Sequence, residues 1–314
     1  MNIQNNSSLL TPNSSLKKIA LAPLAGVTTI SVREFFSQHG ADFTHTEMIS
    51  CAGLIRNNEK TFDMLKTSEY EAPLVVQLFA PDERILIGGA EKVSEVCKKF
   101  FAFGINMACP MPKITKNHCG SALLKNPGTA FNMTKELKNF NLPVYVKIRK
   151  LENEIETLNF IETLAKAGAD NICIHGRTPA QRYEGQADKN ILRIAAKNFP
   201  GLISASGDVK TVEDIKEYFS FGCVCVMIAR GAIANPFLFE EYRGTFRNNK
   251  ERIEILINFA GRAREISGEH KALIAMKRFA AAVLKFSQGS AEKRKLACMS
   301  KSLDEIINIL RGDN

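Results

Sequence analysis

Short apolar runs recur along the first three quarters of the chain, separated by stretches whose apolar residues fall at helical spacing. The runs are Lys18 to Leu21, Asp42 to Met48, Leu74 to Leu78, Gly104 to Met107, Val144 to Ile148, Asn171 to His175, Gly201 to Ser206 and Cys223 to Ile228. Near-continuous apolar runs of this length are what strands covered on both faces show. Amphipathic segments from Ser31 to His39, about Glu83 to Phe100 and around Glu154 to Ala167 lie between them. Buried strands alternating with helices predict an α/β fold of parallel βα units, and eight of them close into a TIM (β/α)8 barrel. A doubly wound open sheet is the competing arrangement, but no glycine-rich fingerprint follows the first run. After about Glu240 the strand pattern stops, and helices are predicted over Asn249 to Ser267, Lys271 to Gln288 and Ala291 to Leu310. The expected organisation is a loose leader over residues 1–17, a barrel over 18–244 and a small all-helical C-terminal domain over 245–314.

In such a barrel the side chains that do chemistry stand at the C-terminal ends of the strands. Here those ends carry Ala22-Pro23-Leu24-Ala25-Gly26, Glu47, Gln77, Asn106 with Cys109, Lys147 with Arg149, His175 with Arg177, Gly207-Asp208, and Ala229-Arg230-Gly231. One polar strand end means little, but a ring of them around apolar strand bodies implies a site. Most cysteines are packing residues. Cys109 is set differently, because Pro110 and Pro112 stop the strand and stiffen the turn that follows it. Gly207, Gly231 and Arg230 suit a phosphate held by backbone N–H groups after the last two strands, although two tight turns would use glycine too. Lys147 either snorkels from its strand end or meets an anionic cofactor; Gln77 and His175, converging on the same cavity, favour the cofactor.

Composition narrows the class. The chain is 45% hydrophobic, has no apolar run long enough to cross a membrane, and carries a net charge of +9. Residues 245–314 hold 14 lysines and arginines against 8 acidic residues, most of that surplus, with clusters at Lys277-Arg278, Lys285 and Lys293-Arg294-Lys295. A solvated helical face would explain this alone; beside an enzyme-like barrel, an RNA-binding domain explains it better. Eight cysteines without paired spacing, and no export signal, are expected to stay reduced in the cytoplasm. The five histidines show no zinc pattern, so no metal is expected.

The ordered motifs resemble those of the flavin-dependent tRNA-dihydrouridine synthases, from about residue 18 to 245. Ala22-Pro23-Leu24-Ala25-Gly26-Val27-Thr28 is similar to the opening APMAGVTD motif, Thr46-Glu47-Met48-Ile49-Ser50 to TEM(V/I)S, and Val76-Gln77-Leu78-Phe79 to VQLFG. The loop Asn106 to Pro112 follows, then Val146-Lys147-Ile148-Arg149. His175-Gly176-Arg177-Thr178 with Gln181, Tyr183, Gly185, Ala187 and Asp188 matches the HGRTxxQxYxGxAD block. The resemblance implies a TIM barrel with a helical tRNA-binding domain, an FMN cofactor reduced by NADPH (NADH being possible), and tRNA as partner. The implied reaction reduces the C5=C6 bond of specific uridines, with hydride from FMN and a proton from Cys109. A free thiol, with a pKa of about 8.5, is mainly protonated near neutrality and suits that step. By position, Pro23, Leu24, Ala25, Gln77, Lys147 and His175 would contact the flavin. Ser206, Gly207, Asp208, Ala229 and Arg230 would hold its ribityl phosphate end. Asn106, Arg177, Lys277 and Arg278 would meet the substrate, and Glu47 would brace the barrel mouth.

Four positions depart from the family pattern. Thr29 stands where Asp is usual, Ala108 for the Gly before the cysteine, Ser206 for the Asn before Gly207-Asp208, and Ala229 for the Gly before Arg230. The two alanines require backbone angles open to a residue with Cβ, and weaker FMN binding, not its loss, is expected. Cys119 is either a small filler or a partner for Cys109 under oxidation. Two other functions remain compatible: an FMN barrel acting on a free pyrimidine, and a non-catalytic tRNA-binding barrel. Neither a protein partner nor a membrane is implied.

Overall fold

A computed structural model describes residues 17–286 and 289–312, so the expected leader lies, apart from Lys17, outside the described residues. Among the described residues nine strands form one parallel sheet: β1 (Lys18–Leu21), β2 (Thr44–His45), β3 (Ile49–Ser50), β4 (Leu74–Phe79), β5 (Ala102–Met107), β6 (Val144–Arg149), β7 (Asn171–His175), β8 (Ile203–Ser206) and β9 (Cys225–Ile228). Each strand from β4 to β9 pairs with its successor, and β9 returns to β1 with Lys18 opposite Cys225. The remaining gap is spanned by the Leu21 N–H donating to Phe43 O (3.2 Å) and the Asp42 N–H to Ile19 O (2.9 Å). The sheet is therefore a nearly closed barrel of eight staves, a TIM barrel.

The second stave differs from the single strand expected over Asp42 to Met48. It is broken into β2 and β3, both paired to β4. Between them the Thr46 hydroxyl accepts the Gln77 N–H at 3.0 Å, replacing a ladder bond by a side-chain bond. Glu47 leaves the ladder altogether and accepts the N–H of Gly26.

Helices link the staves where amphipathic stretches were expected, at Ile30–Gln38, Glu83–Val96 and Glu154–Lys166, and also at Pro127–Leu137, Lys189–Asn198 and Val212–Ser220. Their starts are set by side chains that accept otherwise unpaired N–H groups: Asp82 from Ile85, Asn153 from Glu156, Asp188 from Ile191. A helical C-terminal domain follows, with helices at Asn249–Ser267, Glu269–Val283, Ser290–Met299 and Leu303–Arg311. The helix expected over Ala291 to Leu310 is thus two helices. Ser302 caps the second by accepting the Glu305 N–H, and Glu305 returns a bond to the Lys301 N–H at 2.7 Å.

The C-terminal helices share one core with the barrel. Phe35 of helix Ile30–Gln38 stacks edge-on against Phe259 (5.1 Å) and tilts against Phe279 (5.2 Å), and Phe36 meets Phe279. Arg262 to the buried Glu34 (2.8 Å) and Lys271 to Asp63 (2.9 Å) tie the same interface.

Candidate active site

A cleft of about 540 Å³ opens at the C-terminal ends of the strands. Pro23, Leu24, Ala25, Asn106, Cys109, Lys147, His175, Arg177, Ser206, Gly207, Asp208, Ala229 and Arg230 all line it. The register brings them together: Asn106 lies opposite Lys147, Arg149 opposite His175, and His175 opposite Ser206. Paired residues of neighbouring parallel strands point to the same face, so these side chains face the barrel mouth as a layered set.

The loop that carries Cys109 is held on every side. Asn106 Oδ1 accepts the N–H groups of Ala108 (3.2 Å) and Cys109 (3.0 Å), while its Nδ2 donates to Gln77 Oε1 at 2.8 Å. Arg149 Nε donates to Ala108 O (2.8 Å), and the Ser121 N–H to Cys109 O (2.9 Å). Gly120 sits at φ +62°, where a Cβ would come within 2.6 Å of Cys109 O. The Cys109 thiol is half-buried. Cys119 is buried instead and donates to Asn117 O at 3.2 Å; burial pushes its thiol up to about 11. Gln77 is not on the wall: it is 1% exposed, and it reaches the cleft only through Asn106.

Positive charge dominates the opposite wall. Lys147 is half-buried and has neither hydrogen bond nor ion pair among the described residues, and burial lowers its pKa. His175 is pushed down to about 2, first by burial and then by Lys147, Arg149, Arg177 and Arg230, so its ring is neutral. The Arg177 N–H donates to its Nδ1 at 3.3 Å, which leaves the proton on Nε2 as a donor. Arg177, 2% exposed, donates to Glu184 O (3.0 Å), Gly185 O (2.6 Å) and Asp208 Oδ2 (2.7 Å), yet its Nη1 is buried without an acceptor. Burial alone would raise the Asp208 carboxyl, but the Ala187 N–H and the two arginines outweigh it and hold it below the usual range. Gly207, at φ +117°, has no room for a larger residue, since a Cβ would approach Ala187 Cβ to 2.9 Å.

Neither alanine among the departures stands at a positive φ. Ala229 has φ −110°, and Ala108 is not among the positive-φ residues, so neither needs the left-handed region that glycine would ease. Lys277 and Arg278 lie outside the cleft on helix Glu269–Val283; Arg278 Nη1 donates to Gly26 O at 3.1 Å.

The profile of the dihydrouridine synthase family (Dus) matches residues 20–308. The chain belongs to that family. It is 30% identical over 298 residues to a probable tRNA-dihydrouridine synthase of Aquifex aeolicus (strain VF5), a match covering 92% of this chain and 94% of that one. Identity is 31% over 240 residues with probable tRNA-dihydrouridine synthase 1 of Synechocystis sp., covering 75% and 67%. It is 28% over 249 residues with tRNA-dihydrouridine synthase B of Pasteurella multocida, covering 77% and 73%.

For a dihydrouridine synthase, the cleft holds more than strand ends disclose. Arg149 was named as a strand end but not as a site residue, although it lies two positions beyond Lys147 on the same strand face. Tyr183, exposed at the mouth, lies under both Arg230 (4.9 Å) and Arg149 (5.7 Å). Lys210 and Met48 also line the wall. Tyr183 and Lys210 stand on loops and Met48 in the break between β2 and β3, where periodicity carries no signal. Among the described residues no group of three or more His, Cys, Asp or Glu could hold a metal ion, and no helix is long and apolar enough to cross a membrane.

Proposed function

We propose that this dihydrouridine synthase acts on tRNA in the cytoplasm, reducing the C5=C6 bond of particular uridines with FMN in the cleft and NADPH, or NADH, as reductant. One observation carries the reading: a single cleft holds Cys109, on a hydrogen-bonded loop, and Lys147, whose ammonium has no partner among the described residues. The relatives' names point to the same substrate.

The lining fits FMN. A phosphate needs positive charge and free donors, and Arg177 Nη1, buried without an acceptor, supplies both, with Arg230 beside it, so Arg177, expected from the sequence to meet the substrate, is assigned here to the phosphate end instead. Ser206, Gly207, Asp208 and Ala229 would complete that end, Asp208 by fixing Arg177 and Arg230. Lys147 and the Nε2–H of His175 would donate to the polar edge of the ring system, over Pro23, Leu24 and Ala25. Gln77 would act through Asn106.

FMN held by these residues would supply, once reduced, the hydride chemistry for C6 of the uracil ring. Cys109 supplies the proton that goes to C5, its loop fixing the direction from which that proton comes. Asn106 has one Nδ2–H left, after Gln77, to offer a base carbonyl. The target base must leave the tRNA stack to enter the cleft. The basic helices of residues 245–314, Lys277 included, would grip the backbone meanwhile. The test is mass spectrometry of unmodified tRNA incubated with the protein, FMN and NADPH. Dihydrouridine in the digest is the expected result; none, with FMN bound and reducible, would overturn the reading.

A further inference from the structure

Arg278 belongs by sequence to the basic helical surface, but its guanidinium is turned to the barrel, where Nη1 donates to Gly26 O at 3.1 Å. Gly26 sits at φ +66° in the loop after β1, directly after Pro23, Leu24 and Ala25 of the cleft wall. Its N–H is taken by the Glu47 carboxylate, from the break between β2 and β3. One residue is thus gripped from both sides by opposite charges on two different parts of the chain. Elsewhere the loop is tied within itself: Thr28 Oγ1 bonds both the N–H and the C=O of Leu24 at 3.2 Å. Arg33, buried, donates to Thr28 O at 3.0 Å. Gly26 is therefore one place where the helical domain takes hold of the wall of the cleft, beside the packing of helix Glu269–Val283 on Arg230–Ala234.

We infer that Arg278 is a positioning residue for the cofactor, not a contact to tRNA: with Glu47 it clamps Gly26 and so sets the wall against which FMN binds. The inference rests on FMN being the ligand of this cleft. It assigns to the helical domain a share in cofactor binding, and it takes Arg278 out of the set of phosphate contacts.

Two readouts on the full-length protein separate these roles. The first is the FMN dissociation constant, from quenching of flavin fluorescence. The second is the slope of tRNA affinity against salt, on a logarithmic scale, which counts phosphate contacts. Losing one charge-assisted hydrogen bond from a half-exposed site should weaken FMN binding about three- to tenfold in Arg278→Ala. The salt slope should stay unchanged. Glu47→Ala removes the other half of the clamp without touching the helical domain and should show the same FMN loss. Because both act through Gly26, the double variant should fall short of the product of the two single effects. FMN affinity within twofold of the wild type in both single variants overturns the inference, as does a salt slope lower by about one phosphate contact in Arg278→Ala. A wild-type protein that takes up no FMN at all overturns both this inference and the functional reading beneath it; normal uptake with unaffected variants overturns the clamp alone.

Discussion

At the scale of single residues, the cleft is costly to the protein that carries it. Lys147 keeps an ammonium in a site that disfavours its charge, with no internal partner to offset the cost. Lys147→Met should therefore raise the melting temperature of the cofactor-free protein while weakening FMN binding by roughly tenfold or more, about 1.4 kcal/mol per tenfold. Thermal melting and flavin titration check the two halves separately. His175 and His45 give a second signature, being held down to about 2 and about 4 from 6.5, chiefly by burial. Both rings are neutral in the fold and protonate in the unfolded chain below about pH 6.5, so the unfolded state binds more protons there. Stability should fall as pH drops through that value, by roughly 1.4 kcal/mol per pH unit for each ring. The His45 share should end near pH 4 and the His175 share near pH 2. Denaturant melts between pH 7 and pH 5 measure this, and a flat profile would contradict neutral burial of the two rings.

At the scale of elements, the loop after β5 is the part that has to be rigid, and Gly120 is a sensitive point in it. Gly120→Ala puts a Cβ within 2.6 Å of Cys109 O at a positive φ. It should cost about 2–3 kcal/mol in chemical unfolding and lower turnover by moving the thiol. Much of this level was legible in the chain. The strands β1 and β7 begin and end where their apolar runs do, and Cys109, Lys147, His175 and Arg177 line the cleft because strand ends converge there. The break in the second stave was not legible, since it depends on Thr46 and Glu47 bonding to residues distant in sequence. The split of the last helix was: Ser302 with Glu305 is a capping pair, masked by an apolar spacing that runs through it. Gln77 and Arg278 show a third case, in which the residue is recognisable but its direction is set by a hydrogen bond that no periodicity contains.

At the scale of the whole molecule, barrel and helical domain are joined by packing as well as by chain. Phe259 and Phe279 fill the space over Phe35 and Phe36, and Arg262 neutralises the buried Glu34. A chain ending at residue 244 would expose that apolar face and leave Glu34 without its cation, so it should be insoluble or molten by near-ultraviolet circular dichroism. A soluble, cooperatively melting truncation would show the barrel to be independent. The same union brings the helix Glu269–Val283, which carries Lys277 and Arg278, against the loop after β1 at the cleft wall. Delivery of the C5 proton by Cys109 within this cleft is tested most directly in heavy water. Unmodified tRNA, FMN and NADPH would be incubated with wild type and with Cys109→Ala, each shown to bind FMN, and the dihydrouridine analysed by mass spectrometry for deuterium at C5. Deuterated product from the wild type, and formation slowed by about a hundredfold or more in the variant, is the expected result. Product formed at an undiminished rate by Cys109→Ala would contradict it.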